Sequence, residues 1–369
     1  MLNDISKSFF GKKVLITGHT GFKGSWLSLW LNNLGASVSG ISIDIPSNPS
    51  HFDVTNLSNQ IDDYRIDILD ATAVKLVVKK IQPDYVFHLA AQALVRTSYE
   101  NPVETMKTNA IGSANILDAL RGLDNPVVAV MITSDKVYDN VEWSWGYRET
   151  DRLGGKDPYS ASKGMAELAI RSFVESFFSS KDSNVRVAIA RAGNVIGGGD
   201  WAVDRIVPDC MNSWSKNNVV DIRNPDATRP WQHVLEPIRG YLVLASQLST
   251  NLSLHSESYN FGPHAQLNYS VRELINAMSN HWDLVRWNDT SDLKEKLHEA
   301  GLLKLNCDKA LMDLKWKPIL EFEETVLMTV EWYRHYYQNR TESMYNFTIS
   351  QIDQYSRLTS ARDVSMRKI

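Results

Sequence analysis

The sequence predicts an α/β protein with a doubly wound parallel sheet and a smaller mixed α/β lobe in its C-terminal part. Two observations support this fold class. Short apolar runs alternate with longer helical patterns through the first 195 residues, and this alternation is typical of parallel βαβ units with right-handed crossovers. The regularity fades after Gly197, Gly198 and Gly199, where the chain becomes rich in Trp, Asn, Pro and Arg.

The first strand and helix show how the elements are assigned. Residues 13–17 form a short apolar run that ends at a glycine-rich turn, which indicates a buried strand. Residues 22–34 place Trp26 and Trp30 at helical spacing, and Gly35 ends the pattern. The same criteria, taken in order, predict strands at 37–43, 85–89, 127–133 and 186–191 and helices at 71–81, 103–123, 160–178, 235–247 and 270–281.

Composition and charge narrow the function classes. The chain has 369 residues, of which 43% are hydrophobic and 22% charged, and this length predicts about two domains. A net charge of −4 argues against a nucleic-acid partner. The sequence contains no apolar run of about 18 residues, the length that a membrane-spanning helix requires. It also shows no signal-peptide pattern. Two distant cysteines and scattered histidines give no metal spacing, so we expect a cytoplasmic protein without metal, membrane or nucleic acid.

The turn after the first strand has the pattern of a dinucleotide-phosphate site. Gly18, Gly21 and Gly24 allow positive φ, close approach of the backbone to a pyrophosphate, and tight packing of the next helix. The helix N-terminus adds free N–H groups. Asp44 follows about 20 residues later, where its carboxylate can bind both adenosine ribose hydroxyls and would repel a 2′-phosphate. The pattern predicts a Rossmann-type domain that binds NAD.

Other predicted NAD contacts lie at the same edge of the sheet. Asp67 directly follows Arg65 and Ile66, at the end of what would be the next strand. It either contacts the adenine amino group or is a simple turn aspartate. Ala90, at a strand end, leaves room for the cofactor, although packing also favours small residues there. The predicted contacts are Gly18, Thr20, Gly21, Phe22, Lys23, Gly24, Asp44, Asp67, Ile68, Ala90, Tyr159 and Lys163.

Tyr159 and Lys163 form a candidate redox pair. They are four residues apart at a predicted helix start, so they share one face. A free tyrosine has a pKa of about 10, and a nearby ammonium group together with a positive nicotinamide ring would stabilise the phenolate. Tyr159 can then take a proton from an alcohol while hydride passes to the cofactor.

The chain therefore divides into three predicted parts. Residues 1–195, with returning segments near 229–262, form the NAD-binding domain. Residues 196–340 mainly form the substrate lobe. The tail 341–369 is polar and lacks a strong period, so both a docked and a disordered tail are consistent with it.

These motifs carry a resemblance to a known family. The GxxGxxG turn at 18–24, Asp44, the strand end at 89–91 and the pair of Tyr159 and Lys163 resemble the extended short-chain dehydrogenase/reductase family. Members of that family act on nucleotide sugars and use NAD. The resemblance therefore implies a nucleotide-sugar substrate.

One branch of the family is closer still. Segments 19–27, 133–136 and 152–163 resemble CDP-glucose 4,6-dehydratases, within a likeness that covers residues 12–337. The resemblance implies oxidation at C4, loss of water across C5 and C6, and return of hydride to C6, which regenerates NAD. The product would be CDP-4-keto-6-deoxyglucose, a precursor for deoxysugar and O-antigen-type lipopolysaccharide synthesis.

The resemblance also assigns roles to residues after the predicted strand 127–133. Ser134 aligns with the catalytic hydroxyl that binds the C4 oxygen. Asp135 aligns with the general acid for the C6 hydroxyl, which requires a raised pKa because aspartate ordinarily ionises at about pH 4. Lys136 stands where dTDP-glucose members carry Glu and CDP-glucose members carry Lys. Either it acts as a neutral base at C5, or it stays charged and stabilises the enolate.

Three residues of the second part align with substrate contacts of the family. Asn194 and Arg229 match diphosphate ligands, and Arg205 matches a basic residue near the nucleotide. Pro230 replaces the usual aspartate of that motif. Helices 103–123 and 160–178 correspond to the family's dimer helices, which implies a homodimer or a dimer of dimers.

Two alternatives remain open. Another nucleotide-sugar 4,6-dehydratase or a 4-epimerase would share the fold, although an epimerase does not need Asp135 and Lys136. A non-catalytic NAD-binding regulatory protein belongs to a different class, and we would expect it to lack an intact pair of Tyr159 and Lys163.

Overall fold

A sheet of seven parallel strands forms the centre of the molecule. The structure, a computed structural model, describes residues 2–180, 183–264, 267–291, 302–338 and 343–366. The strands of the sheet are β1 Lys13–Thr17, β2 Ser37–Ser42, β3 Asp62–Arg65, β4 Tyr85–His88, β5 Val127–Ile132, β6 Val185–Ala192 and β7 Ser258–Phe261.

The strand order creates a crevice at the carboxyl edge of the sheet. Across the sheet the order is β7-β6-β5-β4-β1-β2-β3, so the winding reverses between β1 and β4, where ligands bind in such folds. Val14 and Ile16 face one apolar core while Leu15 faces the other, because successive side chains of a strand alternate. The predicted doubly wound parallel sheet is confirmed.

Helices cover both faces of this sheet. On one face pack Ala71–Ile81, Gly112–Leu120 and Pro158–Phe173, and on the other Phe22–Asn33 and Leu235–Leu248. The predicted helices 103–123 and 160–178 each contain a π-helical turn, at Lys107–Ile111 and Val174–Phe178. The remaining helices of four or more residues are Leu2–Phe9, His51–Val54, Val95–Glu100, Pro102–Met106, Ile206–Trp214, Val271–Ser279, Asp308–Leu314, Phe322–Gln338 and Met344–Met366.

Short strand pairs organise the part of the chain after β6. They bring together segments that lie far apart in the sequence. The pairs are Val195–Ile196 with Gln232–His233, Thr228–Arg229 with Tyr269–Ser270, and Val220–Ile222 with Trp287–Asp289.

The C-terminal segment is docked rather than disordered. Helix Met344–Met366 buries Ile352 and Tyr355, and the Tyr355 ring meets Trp30 edge-on at a centroid distance of 5.9 Å. These two buried side chains, one helical turn apart, dock the helix although its sequence lacks a strong hydrophobic periodicity. Residues 341, 342 and 367–369 of the predicted tail lie outside the described residues.

Candidate active site

The glycine turn brings β1, β4 and the following helix into close contact. Gly18 has a φ of +75°, and a Cβ there would lie 2.7 Å from the backbone nitrogen of Ala90. A Cβ at Gly24 would lie 2.0 Å from the carbonyl oxygen of Gly18. Gly21 precedes the helix, and no side chain caps this helix start. The first N–H groups are therefore available to an anion such as a pyrophosphate.

The acidic residues after β2 and β3 have different surroundings. Asp44 is exposed, and its carbonyl accepts a hydrogen bond from Thr20 Oγ1 at 2.6 Å, which ties the glycine turn to the end of β2. Asp67 Oδ1 accepts a hydrogen bond from the Leu69 backbone at 2.9 Å, so one of its oxygens serves a turn. Ile68 is buried.

Residues 133–136, which we call the catalytic strand end, directly follow β5. Ser134 Oγ donates to Asp135 Oδ1 at 2.9 Å and accepts from the Lys136 backbone at 3.2 Å. Asp135 is buried, and this burial raises its pKa against the opposing charge of Lys136. A raised pKa is the condition that a proton-donating role for this carboxyl group requires.

Tyr159 lies in the first turn of helix Pro158–Phe173. Asp157 caps this helix by accepting a hydrogen bond from the Ser160 backbone at 3.0 Å. Burial raises the pKa of Tyr159 to about 12, whereas a hydrogen bond with the Ser134 hydroxyl lowers it. Tyr159 and the catalytic strand end are thus in direct contact, and the tyrosine needs positive charge nearby to act as a base at neutral pH.

Several cations surround this contact. Lys136 Nζ lies 5.8 Å from the centroid of the Tyr159 ring. Burial and the charge of Lys23 lower the pKa of Lys163 to about 7. Burial and the charge of Arg205 lower the pKa of Lys23 to about 8. The structure therefore places Lys23 beside the catalytic residues, although its sequence position had suggested only a cofactor contact.

The three predicted substrate contacts lie in the part of the chain after β6. Arg205 Nη1 pairs with Asp200 Oδ2 at 2.8 Å, and its charge lowers the pKa of Lys23 and of Tyr159. Asn194 is half-buried and accepts a backbone hydrogen bond from the neighbouring short strand through its carbonyl. Arg229 lies in a two-stranded pair, and its Nη1 donates to the Thr228 carbonyl at 2.8 Å. Arg205 thus joins the catalytic residues, whereas these contacts of Asn194 and Arg229 are with backbone atoms.

Sequence reasoning missed a buried network beneath the catalytic strand end. It consists of Thr133, Tyr138, Glu167 and Arg191, and Arg191 pairs with Glu167 at 2.5 Å with both side chains fully buried. Two signals were available in the sequence. Glu167 follows Lys163 by one helical turn, and Arg191 interrupts the apolar run of β6.

Within the described residues, no group of three His, Cys, Asp or Glu side chains could hold a metal ion. The described helices likewise include none that is long and apolar enough to cross a membrane.

Comparisons with known proteins agree with this geometry. The sequence model of the GDP-mannose 4,6 dehydratase family matches residues 15–329. A CDP-glucose 4,6-dehydratase of Salmonella typhimurium is 47% identical over 335 residues, which are 89% of this chain and 93% of that protein. A dTDP-glucose 4,6-dehydratase of Haemophilus influenzae is 25% identical over 87% of this chain and 97% of its own length.

Solved structures support the fold. A UDP-glucose 4-epimerase from Thermotoga maritima has a TM-score of 0.74 at 23% identity, with 88% of this chain and 99% of that chain covered. A dTDP-glucose 4,6-dehydratase from Streptomyces venezuelae has a TM-score of 0.72 at 22% identity, with the same coverage. The fold and site together define a short-chain dehydrogenase/reductase of the extended type. Within that type, the chain belongs to the family of nucleotide-sugar dehydratases and epimerases.

Proposed function

We propose that this chain converts CDP-glucose to CDP-4-keto-6-deoxyglucose and water, with NAD regenerated in each turnover. One observation carries the proposal: a buried acid, Asp135, lies between Ser134 and Lys136 and beside the redox pair. An epimerase needs the redox pair but has no leaving hydroxyl to protonate. The 47% identity to a CDP-glucose 4,6-dehydratase supports CDP-glucose as the substrate among nucleotide sugars.

NAD fits the carboxyl edge of β1, β2 and β4. The turn is packed too closely at Gly18 and Gly24 for any side chain, the helix start after it has no side-chain cap and so offers N–H groups to a pyrophosphate, and the exposed Asp44 can bind a ribose. When bound, NAD accepts hydride from C4 and donates it to C6. The residues that would hold NAD are Gly18, Thr20, Gly21, Phe22, Lys23, Gly24, Asp44, Asp67, Ile68, Ala90, Tyr159 and Lys163.

Oxidation at C4 depends on Ser134, Tyr159 and Lys163. Ser134 holds the C4 oxygen, and Tyr159 takes the proton of the C4 hydroxyl. Because burial raises the pKa of Tyr159 to about 12, the cations around it must stabilise the phenolate. Lys163, whose pKa burial and the charge of Lys23 lower to about 7, supplies one of these charges when it is protonated and holds the nicotinamide ribose.

Elimination depends on Asp135 and Lys136. The C4 ketone acidifies the C5 proton, and Asp135 protonates the C6 hydroxyl as the C6–O bond breaks and water leaves. Lys136 either takes the C5 proton or stabilises the enolate as a cation. Lys136→Arg keeps the charge and removes the base, so dehydration that persists in this variant would support the electrostatic role.

The second part of the chain supplies the remaining contacts. We assign Asn194, Arg205 and Arg229 to the diphosphate and nucleotide, since guanidinium groups bind oxyanions strongly. In this division, residues 1–195 with segments near 229–262 hold NAD, and residues 196–340 mainly hold the nucleotide sugar. Loss of CDP-glucose affinity in Arg229→Met, with NAD affinity unchanged, would check the assignment.

The same proposal includes self-association. Helices 103–123 and 160–178 carry apolar side chains exposed in the single chain, among them Val103 at 64%, Ile111 at 53% and Leu168 at 60%. A homodimer or a dimer of dimers would cover them. Sedimentation of the purified chain as a monomer would contradict this.

We place the reaction in the cytoplasm, in deoxysugar synthesis for O-antigen-type polysaccharide. Deletion of the gene tests this placement, and loss of that polysaccharide is the expected result.

Incubation with a panel of glucose nucleotides tests the function. We expect CDP-glucose alone to lose the mass of one water, and Tyr159→Phe to abolish the reaction. An unchanged mass with a new C4 configuration would identify an epimerase and contradict the proposal. Binding of NAD without turnover of any nucleotide sugar would favour a regulatory protein.

A further inference from the structure

A buried polar network beneath the catalytic strand end takes no part in the steps above. Arg191 donates from Nε and Nη2 to the two carboxylate oxygens of Glu167 at 2.7 and 2.5 Å. Thr133 Oγ1 donates to Glu167 Oε1 at 2.7 Å. Arg191 Nη1 also donates to Tyr138 Oη at 2.6 Å. Glu167 therefore has three close donors and no contact with solvent.

The position of Glu167 links the two elements that carry the catalytic residues. On helix Pro158–Phe173 it follows Tyr159 by eight residues and Lys163 by four, so the three side chains share one face. Thr133 immediately precedes Ser134 and Asp135 at the end of β5. Glu167 thus belongs to the helix that carries the redox pair, and its carboxylate contacts the catalytic strand end.

The network continues on the other side of Arg191. Tyr138 Oη donates to Asn260 Oδ1 at 2.8 Å, and the Asn260 backbone donates to Glu149 Oε1 at 2.8 Å. Arg191 belongs to β6 and Asn260 to β7. The network therefore connects the end of β5, strands β6 and β7, and helix Pro158–Phe173. Such a fully paired network favours a unique geometry more than it favours stability.

We infer that Glu167, held by Arg191, is a positioning residue that sets the distance between the catalytic strand end and the redox pair through its bond with Thr133. The inference rests on the proposed function for its kinetic test. Its physical consequence is specific: loss of the Thr133 bond lets Ser134 move away from Tyr159, which weakens the influence of the Ser134 hydroxyl that lowers the pKa of Tyr159.

Thr133→Val tests this inference with almost no change of volume. We expect its kcat to fall by about tenfold to a hundredfold, as for other small displacements of reacting groups, with the KM for CDP-glucose unchanged and a small fall in melting temperature, because a buried carboxylate oxygen loses one donor. Thr133→Ser keeps the hydroxyl and should restore the rate. Arg171→Gln is the matched control, because Arg171 also contacts Glu167, at 3.8 Å, but from a half-exposed position away from Thr133.

A second readout needs no nucleotide sugar. Ionisation of Tyr159 is followed by ultraviolet difference spectra of NAD-loaded protein, with Tyr159→Phe as the blank. Asp135, Lys136, Asp157 and Arg205 also act on this phenol, and Thr133→Val changes the charge of none of them. We expect Tyr159 to ionise at a higher pH in Thr133→Val than in Thr133→Ser.

The two readouts separate failure of this inference from failure of the proposed function. If the wild-type chain dehydrates no nucleotide sugar, the function fails, and the tyrosine titration still decides the role of Glu167. Equal titration curves in Thr133→Val and wild type would overturn the inference, as would equal losses in Thr133→Val and Thr133→Ser. Should Thr133→Val fail to fold, Thr133→Ala removes the same hydroxyl and is measured in the same two ways.

Discussion

Two fully buried arginine–glutamate pairs lie in different regions of the molecule. Beneath the catalytic strand end, Arg191 pairs with Glu167. The second pair belongs to what we call the C-terminal anchor, formed by Glu236, Arg239 and Tyr355. There Tyr355 Oη donates to Glu236 Oε2 at 2.7 Å and accepts from Arg239 Nε at 2.8 Å. The two regions use the same chemistry but have different neighbours.

The third partner of each glutamate distinguishes the two regions. Glu236 Oε1 accepts hydrogen bonds from the backbones of Ile319 and Leu320, both at 2.7 Å, so the C-terminal anchor joins a loop to a helix. Glu167 instead accepts from Thr133, next to Ser134. A buried ion pair is weak support for stability on its own, so the further partners of each pair decide what it does. Because the anchor bonds the backbone of a loop, we expect changes there to affect stability. Because Glu167 bonds Thr133, next to Ser134, we expect changes beneath the catalytic strand end to affect rate.

The largest expected effect lies at the catalytic strand end. Asp135→Asn keeps an acceptor for Ser134 but has no proton to give, so dehydration should fall by about a thousandfold while the folded state is retained. Product mass and the unfolding transition are the measurements. Asp139→Asn is the control, because Asp139 is half-buried and lies 3.7 Å from Arg152. Near-normal dehydration in Asp135→Asn would mean that another group is the acid.

The corresponding change at the C-terminal anchor should do the reverse. Glu236→Gln removes a buried carboxylate that pairs with Arg239, and we expect a loss of about 3–5 kcal/mol in the free energy of unfolding. The kcat per folded molecule should stay within a factor of two or so, since the anchor has no contact with Thr133 or Ser134.

Urea unfolding and kcat, measured on the same preparations, check this expectation. Glu257→Gln is the control, because Glu257 pairs with Lys309 at the surface and should contribute at most about 1 kcal/mol. A variant of Glu236 that keeps its stability but loses its rate would remove the distinction between the two regions.

Features with a local signal were predictable from the sequence. The apolar run of β1 and the helix Ala71–Ile81 were predicted with the bounds that the structure has, because burial on both faces and helical spacing act over a few residues. The glycine turn was predictable for the same reason, since Gly18 requires a positive φ. The assignment of Ser134 and Tyr159 to one reaction came from the resemblance to a known family.

Features that depend on distant partners were not predictable in this way. Thr133 and Glu167 are 34 residues apart, and Arg191 lies 24 residues beyond Glu167, so no periodic pattern joins them. Helix Leu2–Phe9 was missed because its short sequence gains stability only when Ile5 and Phe9 are buried against the sheet domain. For the same reason the sequence left open whether the C-terminal segment is docked or disordered.

The smallest expected effect concerns pH and the C-terminal helix. His51 contacts Thr348 of that helix, with Nε2 3.5 Å from its Oγ1, and bonds Ser25 Oγ through Nδ1 at 2.9 Å. Burial lowers the pKa of His51 from 6.5 to about 3. Between these values only the unfolded chain binds the proton, so stability is lost as the pH falls, by about 1.4 kcal/mol for each pH unit.

His51→Gln removes this proton and should therefore flatten the dependence of unfolding free energy on pH, by about 2 kcal/mol between pH values of about 6.5 and 4.5. The comparison is made between the two pH values within each protein, because the substitution itself also costs stability. His281→Gln, at a half-exposed position, controls for the loss of a histidine. A wild-type slope in His51→Gln would show that the acid sensitivity arises elsewhere, for instance at buried His88 near Lys163, on the catalytic side of the comparison.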